Sequence, residues 1–62
     1  MSFPEAMKYI IKGKKVTKLE WANPDYYVFC QETLKLHKPH EGFFDWIVSK
    51  GDMAGTDWVV LE

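Results

Sequence analysis

The stretch SFPEAMKYIIKGKKVTKL, residues 2–19, decides the fold because it predicts a helix followed directly by a strand. Ser2 and Glu5 have the spacing of a capping box, in which each side chain accepts a hydrogen bond from a free backbone N–H of the first turn. Apolar residues then recur at helical spacing and form one stripe: Phe3, Ala6, Met7, Ile10 and Ile11. Gly13 is typical of the position just after a helix end, so we predict a helix over about Phe3–Lys12.

The remainder of the chain alternates short strand-forming runs with turn signals. Five runs are rich in β-branched, aromatic or alternating apolar residues: Lys15–Leu19, Tyr26–Gln31, Leu34–Lys38, Phe43–Val48 and Trp58–Leu61. Asn23-Pro24-Asp25 and Pro39–Gly42 are turn sequences, and Asp52–Thr56 is one helical turn or a compact loop. We predict a single α+β domain over residues 1–62, with one N-terminal helix followed by a small antiparallel β-sheet of four or five short strands.

The chain is short and unusually aromatic, which predicts self-association. Its 62 residues include three Trp, three Tyr and four Phe, more rings than so small a core can bury. Chains of this size usually need disulfides, a metal or oligomerisation for stability. The single cysteine, Cys30, has no partner for an intramolecular disulfide. We therefore expect a homo-oligomer, a dimer or a tetramer, with some aromatic side chains at a subunit interface or in a ligand recess.

The charge balance argues against nucleic acid and membrane partners. Eight lysines and nine acidic residues give a net charge of −1, and arginine, the usual residue for bidentate phosphate contacts, is missing. No apolar run approaches the ~20 residues that a membrane span requires. Because a single free cysteine suits a reducing compartment, we expect a cytoplasmic protein.

The polar residues do not assemble into a catalytic or metal-binding set. His37 and His40, with Glu41 and the distant Cys30, fall short of the four ligands and the recurring spacings of a zinc site, so we read both histidines as solvent-facing. Cys30 lies in a strand-like aromatic run, where a cysteine behaves as a small apolar residue. Without a recognisable nucleophile, base and oxyanion donor, we expect no enzymatic activity, no metal and no cofactor.

The tryptophans are the most informative candidates for binding. Trp46, within an apolar run, is most simply a core or interface residue. For Trp21 and Trp58 two interpretations stay open: packing in the core, or a platform on which a base stacks, an interaction worth about 1–3 kcal/mol per base. In the second case Asn23, Asp52, Thr56 or Asp57 would supply hydrogen bonds to the ligand.

Three segments together resemble the second Thoeris anti-defence family, small proteins of phages and prophages. They are Phe3-x-Glu5-Ala6 with Ile10, then Gly13-Lys14-Lys15-Val16 with Trp21, and finally Ser49-x-x-Asp52-Met53 with Asp57-Trp58. The match runs from end to end, with residues 26–45 only loosely comparable and shorter than in the family. Glu20 stands where the family pattern has Gly, and Gly55 where it has Ala.

The resemblance implies a binding protein that sequesters an immune signal. Characterised members hold a cyclic ADP-ribose isomer without cleaving it, in recesses between the subunits of a homotetramer in the host bacterial cytoplasm. Carried over to this sequence, Trp21 and Trp58 become candidate stacking residues, and Asn23 and Asp57 candidate polar contacts. Lys14, Lys15 and Lys18 are the nearby cations for a pyrophosphate.

One alternative belongs to a different class, a structural or protein-interaction module of a phage with an aromatic binding surface. The two hypotheses predict different changes in melting temperature when the nucleotide is added, because a ligand that binds the native state raises thermal stability by mass action. A cyclic ADP-ribose isomer should therefore stabilise the first kind of protein and not the second.

Overall fold

The computed structural model describes residues 1–61 and shows a five-stranded antiparallel sheet with two helices. The helices are α1 (Phe3–Ile11) and α2 (Lys50–Ala54), and the strands are β1 (Val16–Lys18), β2 (Tyr27–Gln31), β3 (Thr33–Lys38), β4 (Gly42–Asp45) and β5 (Trp58–Val60). The strand order is β4-β3-β2-β1-β5, so the last strand pairs with the first. This arrangement confirms the predicted α+β fold. Glu62 lies outside the described residues.

Helix α1 begins and ends where its capping residues predict. The Ser2 hydroxyl accepts from the backbone N–H of Glu5, and the Glu5 carboxylate accepts in return from the backbone N–H of Ser2, which completes the capping box. The last helical residue is Ile11, and Gly13 follows with a φ of +88°, a left-handed conformation that glycine adopts without steric cost. The predicted helix is confirmed to within one residue.

The core lies between α1 and one face of the sheet. Cross-strand partners in an antiparallel sheet point to the same face, and Val16 pairs with Val28 and Val60 while Val28 pairs with Leu36. This face packs against α1. The buried apolar residues of the core are Ala6, Ile10, Val16, Val28, Trp46 and Trp58.

The opposite face of the sheet, here called the open face, carries aromatic and charged side chains. Tyr27 pairs with His37 and His37 with Phe43, which places these three rings side by side. Phe29 pairs with Lys35 and Lys35 with Asp45, the next row along the same face. Within residues 1–61 both helices lie away from this face, since α1 packs on the other side and α2 contacts α1.

Two elements differ from the sequence prediction. The predicted strand Phe43–Val48 ends at Asp45, because Trp46 is buried in the core and the chain then reaches Ser49, the N-cap of α2. A 3₁₀ turn, Leu19–Trp21, follows β1 where the sequence predicted the end of a strand.

Candidate ligand-binding site

The 3₁₀ turn Leu19–Trp21 is held in place by a single residue of the distant C-terminal segment. The Asp57 carbonyl accepts from the N–H of Leu19 at 3.1 Å, and the Asp57 carboxylate accepts from the N–H of Glu20 at 2.9 Å. The first N–H groups of a helical turn have no partner within the turn, so Asp57 satisfies both from across the chain. This hydrogen bond from Glu20 is the main reason why the pKa of Asp57 is lowered.

Trp58 lies fully inside the core, with 0% of its surface exposed. Its ring contacts Trp21 edge-on at 5.4 Å between centroids, and it also packs against Phe3 and Trp46. The indole N–H donates to the Asp52 carbonyl at 3.2 Å. Because the Trp58 ring is fully buried in this chain, neither of its faces is open to a ligand. Its role here is to pack against Trp21.

Trp21 is half-buried and packs against the margin of the core. It packs against Trp58 on one side and against Tyr26 on another, at 4.6 Å between ring centroids. Asp57 accepts hydrogen bonds from two backbone N–H groups of this turn, so the backbone that carries Trp21 is anchored without a ligand.

Lys18 lies beneath this turn and is only 5% exposed. Its ammonium is 3.0 Å from a Glu20 carboxylate oxygen and sits over the rings of Trp21 and Trp58 at 6.0 and 5.5 Å. Burial works against the charged form, but the hydrogen bond to Glu20 and the nearby carboxylates outweigh it, so the pKa of Lys18 is raised. Because its ammonium is already paired with Glu20, Lys18 is less available to a phosphate than an exposed lysine.

Asn23 borders a recess of about 230 Å³, here called the Asn23 recess. The floor comes from the open face of β1 and β5, and the wall comes from the turn after β1. Its lining residues include Thr17, Leu19, Asn23, Pro24, Val59 and Leu61. The Asn23 side-chain oxygen accepts from the N–H of Asp25 at 2.8 Å, an Asx turn that fixes the side chain above the recess.

Two further side chains on the open face, Lys15 and Tyr27, lie next to the Asn23 recess, and only Lys15 was expected from the sequence to contact a ligand. Because Val16 pairs with Val28, Thr17 in the recess lies opposite Tyr27 on the neighbouring strand. The exposed Lys15 places its ammonium 5.1 Å from the centroid of the Tyr27 ring. The alternation within β2 could have indicated the position of Tyr27, because it places Tyr27 and Phe29 on one face of the sheet and Val28 on the other.

A second, larger recess of about 420 Å³, here called the Phe29 recess, lies at the other end of the open face. It adjoins a closed cluster of four rings, Tyr27, Phe29, Phe43 and His37, with neighbouring centroids 4.7–5.9 Å apart. At its rim Lys35 and Asp45 form an ion pair at 2.7 Å. An anionic ligand would have to displace that carboxylate, so the Phe29 recess suits a phosphate less well than the Asn23 recess does.

The remaining polar candidates have structural positions. His37 is half-buried, not solvent-facing as predicted, because its ring stacks on Tyr27 and its Nδ1 lies 2.5 Å from the Asp25 carbonyl. His40 is exposed in the β3–β4 turn, and Cys30 packs against the core. Within residues 1–61, no three His, Cys, Asp or Glu side chains come close enough to hold a metal ion.

A model of the Thoeris anti-defense 2-like domain matches residues 1–61. The chain belongs to this family. Its role is accordingly that of a Thoeris anti-defence protein, and the resemblance seen in the sequence is confirmed. No curated protein matches the chain. Among the described residues no helix has the length and apolar character needed to cross a membrane.

Two departures from the family pattern are explained together by Lys18. Glu20, in place of Gly, supplies the carboxylate that pairs with the buried ammonium at 3.0 Å. Gly55, in place of Ala, leaves room for the lysine, because a Cβ there would lie 3.1 Å from Lys18 Cε. In this Thoeris anti-defense 2-like protein the three residues therefore form one structural unit.

Proposed function

We propose that this protein binds and sequesters a cyclic ADP-ribose-type nucleotide without cleaving it, and thereby withholds the signal from the bacterial defence system. Such a ligand presents a purine ring, ribose hydroxyls and a pyrophosphate. A site for it needs an aromatic surface, a hydrogen-bonding side chain and a cation that is not already paired. Membership of the anti-defence family supports the role.

The observation that carries the proposal is the Asn23 recess, built on a turn that the protein holds rigidly. Asp57 fixes the turn, Trp58 supports Trp21, and the Asx turn positions Asn23. In this arrangement Asn23 contacts the ligand in the recess. Trp21 lies in the same turn but outside the recess lining and is the candidate stacking residue, while Asp57 and Trp58 act through the turn. A preorganised site binds more tightly because less conformational freedom is lost on binding.

Lys15 is the cation best placed for the pyrophosphate. Its ammonium lies on the open face over Tyr27, one strand away from the recess floor, whereas Lys18 is buried and paired. Tyr27 offers an additional ring on the same face. Lysine acts on phosphate as a point charge and does not require the bidentate geometry of arginine.

The size of the Asn23 recess supports a site shared between subunits. Pockets for ligands of drug size usually enclose about 300–1,000 Å³, and this recess holds about 230 Å³. A second copy placed over the open face would supply the missing wall. This is the homo-oligomer, dimer or tetramer, that the aromatic surplus of the sequence also predicts.

The groups around the recess favour binding over hydrolysis. The Thr17 hydroxyl donates to the Tyr26 carbonyl at 2.6 Å and is thus occupied. The Asn23 amide is neutral, and the remaining lining residues apart from Lys18 are apolar. Within the described chain the recess is therefore suited to holding a ligand and not to activating water.

The first experiment is native mass spectrometry of the protein purified from cells that produce the Thoeris signal. An oligomer carrying the added mass of an intact cyclic ADP-ribose isomer would support sequestration and give the stoichiometry. An oligomer without added mass, and without a thermal shift when the nucleotide is supplied, would favour the alternative of a protein-interaction module. The exposed aromatic residues of the open face are the observation on which that alternative rests.

Two substitutions locate the site. Asn23→Asp keeps the oxygen that accepts from Asp25 but places an anion beside the pyrophosphate, so we expect affinity to fall about tenfold or more. Lys15→Met keeps the stem of the side chain and removes the charge, with a similar loss. Lys50→Met, at an exposed position in α2, is the matched control. Equal affinity in all three variants would place the ligand elsewhere.

A further inference from the structure

The turn that carries Asn23 depends on hydrogen bonds for its position, because none of its residues is buried. Residues 22–25 are exposed, and Tyr26, which leads into β2, is half-buried. An exposed segment with few buried contacts opens readily unless its backbone is bonded to the rest of the fold. The placement of Asn23 beside its recess therefore depends on the bonds that join this turn to the sheet.

Two strands hold consecutive backbone carbonyls of this turn. From β1, the Thr17 hydroxyl donates to the Tyr26 carbonyl at 2.6 Å. From β3, the ring of His37 contacts the Asp25 carbonyl, with Nδ1 at 2.5 Å from the oxygen. Because a carbonyl oxygen only accepts, Nδ1 carries a proton and donates. The strands β1 and β3 lie on either side of β2, so the turn at the start of β2 is held from both sides.

The hydrogen bond from His37 is connected to Asn23 through one residue. The carbonyl of Asp25 accepts from His37, and the N–H of Asp25 donates to the Asn23 side-chain oxygen at 2.8 Å. A fixed Asp25 backbone therefore fixes the donor that orients the Asn23 amide. The position of that amide is thus set from β3, a strand that does not contribute to the recess lining.

The His37 ring is itself packed in the orientation that this hydrogen bond requires. It stacks on Tyr27, with 4.7 Å between the ring centroids and 21° between the planes, and Phe43 packs against it at 4.8 Å. Side chains whose rotamers are locked by packing hold a binding group more precisely than mobile ones do. The aromatic rings of the open face therefore serve the turn as well as the surface.

We propose that His37 is a positioning residue of the Asn23 recess: its Nδ1–H holds the Asp25 carbonyl, and through Asp25 it presets the Asn23 amide for a ligand. A preset turn raises affinity because less conformational freedom is lost on binding. His37 lies outside the recess lining, so it acts through the turn and not by contact with the ligand. The inference rests on the proposed function for the identity of the ligand, whereas the hydrogen bond can be tested without one.

Two substitutions at His37 separate its hydrogen bond from its packing. His37→Phe keeps a ring against Tyr27 and removes the donor, so affinity for a cyclic ADP-ribose isomer in calorimetric titration should fall about 3- to 10-fold, the range that one hydrogen bond supplies. His37→Asn loses the ring but places an amide N–H where Nδ1 stands, and it should recover most of that affinity. The control is His40→Asn, which removes the other imidazole at an exposed position whose φ of +64° asparagine tolerates. It should bind like the wild type.

Two measurements without nucleotide test the hydrogen bond itself. In ¹⁵N NMR spectra of the His40→Asn protein, the remaining neutral imidazole should carry its proton on Nδ1. The amide of Asp25 should exchange with solvent about 3- to 10-fold faster in His37→Phe than in the wild type, whereas His37→Asn should keep the wild-type rate. A role in packing alone would leave that rate unchanged in His37→Phe, because the ring is retained.

A neutral His37 protonated on Nε2 would overturn the proposal, as would a folded His37→Phe protein with wild-type affinity or with wild-type exchange at Asp25. A His37→Asn protein as weak as His37→Phe would also overturn it. Thermal melts check folding, and the NMR measurement needs no substitution at His37, so it decides the matter even if His37→Phe does not fold. A protein with the Nδ1 proton and a protected Asp25 amide that binds no nucleotide would refute only the proposed function.

Discussion

The carboxylate of Asp57 accepts a hydrogen bond from the backbone N–H of Glu20 across thirty-seven residues of sequence, at 2.9 Å. Together with the hydrogen bond from Leu19 to the Asp57 carbonyl, it joins the end of β1 to the start of β5. The turn that carries Trp21 therefore has its position set by the C-terminal segment. This connection links two segments of the sequence that each end in a tryptophan.

Asp57→Asn should weaken this connection in a pH-dependent way. Because the pKa of Asp57 is lowered in the folded protein, its contribution to stability is present above the unfolded value of about 3.9 and is lost as pH falls through the folded value. We expect the variant to melt at a lower temperature than the wild type at pH 7. The difference should shrink below about pH 4, as thermal melts between pH 2.5 and 7 would show. A pH-independent difference would mean that the carboxylate charge does not matter.

Lys18 should contribute through both its charge and its stem. Lys18→Met retains the packing between Trp21 and Trp58 but loses the ion pair and the cation–π contacts, at a cost of about 1–2 kcal/mol. Lys18→Ala also leaves a cavity and should cost about 2–5 kcal/mol. Urea unfolding of both variants measures the free energy of unfolding that each one loses. Equal losses would contradict a separate contribution from the side-chain stem.

The raised pKa of Lys18 also predicts how the stability difference between wild type and Lys18→Met depends on alkaline pH. A raised pKa means that the charge contributes fully below the unfolded value of about 10.4 and that the contribution is lost as pH rises through the folded value. The stability difference between wild type and Lys18→Met should stay constant from pH 7 to about 10 and decline above it. A difference that declines already between pH 7 and 9 would argue against an ion pair in the folded state.

Gly55 and Gly51 should respond to alanine in opposite directions. A Cβ at Gly55 would lie 3.1 Å from Lys18 Cε and 3.3 Å from the Trp58 indole nitrogen, so Gly55→Ala should destabilise by about 1–3 kcal/mol. At Gly51, inside α2, the nearest atom is 3.8 Å away, and alanine should stabilise the short helix by about 0.5–1 kcal/mol. The double variant Gly55→Ala with Lys18→Met tests the cause, since methionine lacks the ammonium close to the added Cβ and the ion pair that holds the lysine in place, and should relieve part of the cost. If the double variant is as destabilised as Gly55→Ala would predict without relief, the added Cβ does not act through Lys18.

Local signals were sufficient for most of the fold. The capping box of Ser2 and Glu5 and the left-handed Gly13 mark both ends of α1, and the five strands follow the alternation of the sequence. The error at Phe43–Val48 has a physical cause, because an apolar run does not reveal where its residues leave the sheet. Trp46 enters the core directly after β4 ends.

The candidate site was less predictable, because its residues act through contacts between distant segments. Nothing near Asp57 indicates that its partner is the backbone of Glu20, and no local pattern predicts that Lys18 is buried between two tryptophan rings. The predicted site residues do lie in one region of the structure. Asn23 borders a recess there, whereas Trp58 lies in the core beneath Trp21.

Alanine at Trp58 and at Trp21 should separate the core residue from the site residue. Trp58 is fully buried, and its loss should cost about 3–5 kcal/mol, most of the stability of a domain of this size. Trp21 is half-buried, so Trp21→Ala should cost only about 1–2 kcal/mol and leave a folded protein. In thermal-shift measurements with a cyclic ADP-ribose isomer, Trp21→Ala should melt cooperatively but lose the stabilisation that the ligand gives the wild type. Trp58→Phe, which keeps an aromatic ring in the core, is the matched control and should retain part of that stabilisation. A Trp21→Ala protein that still responds fully to the nucleotide would assign Trp21 to packing and leave Asn23 and Lys15 as the contacts to test.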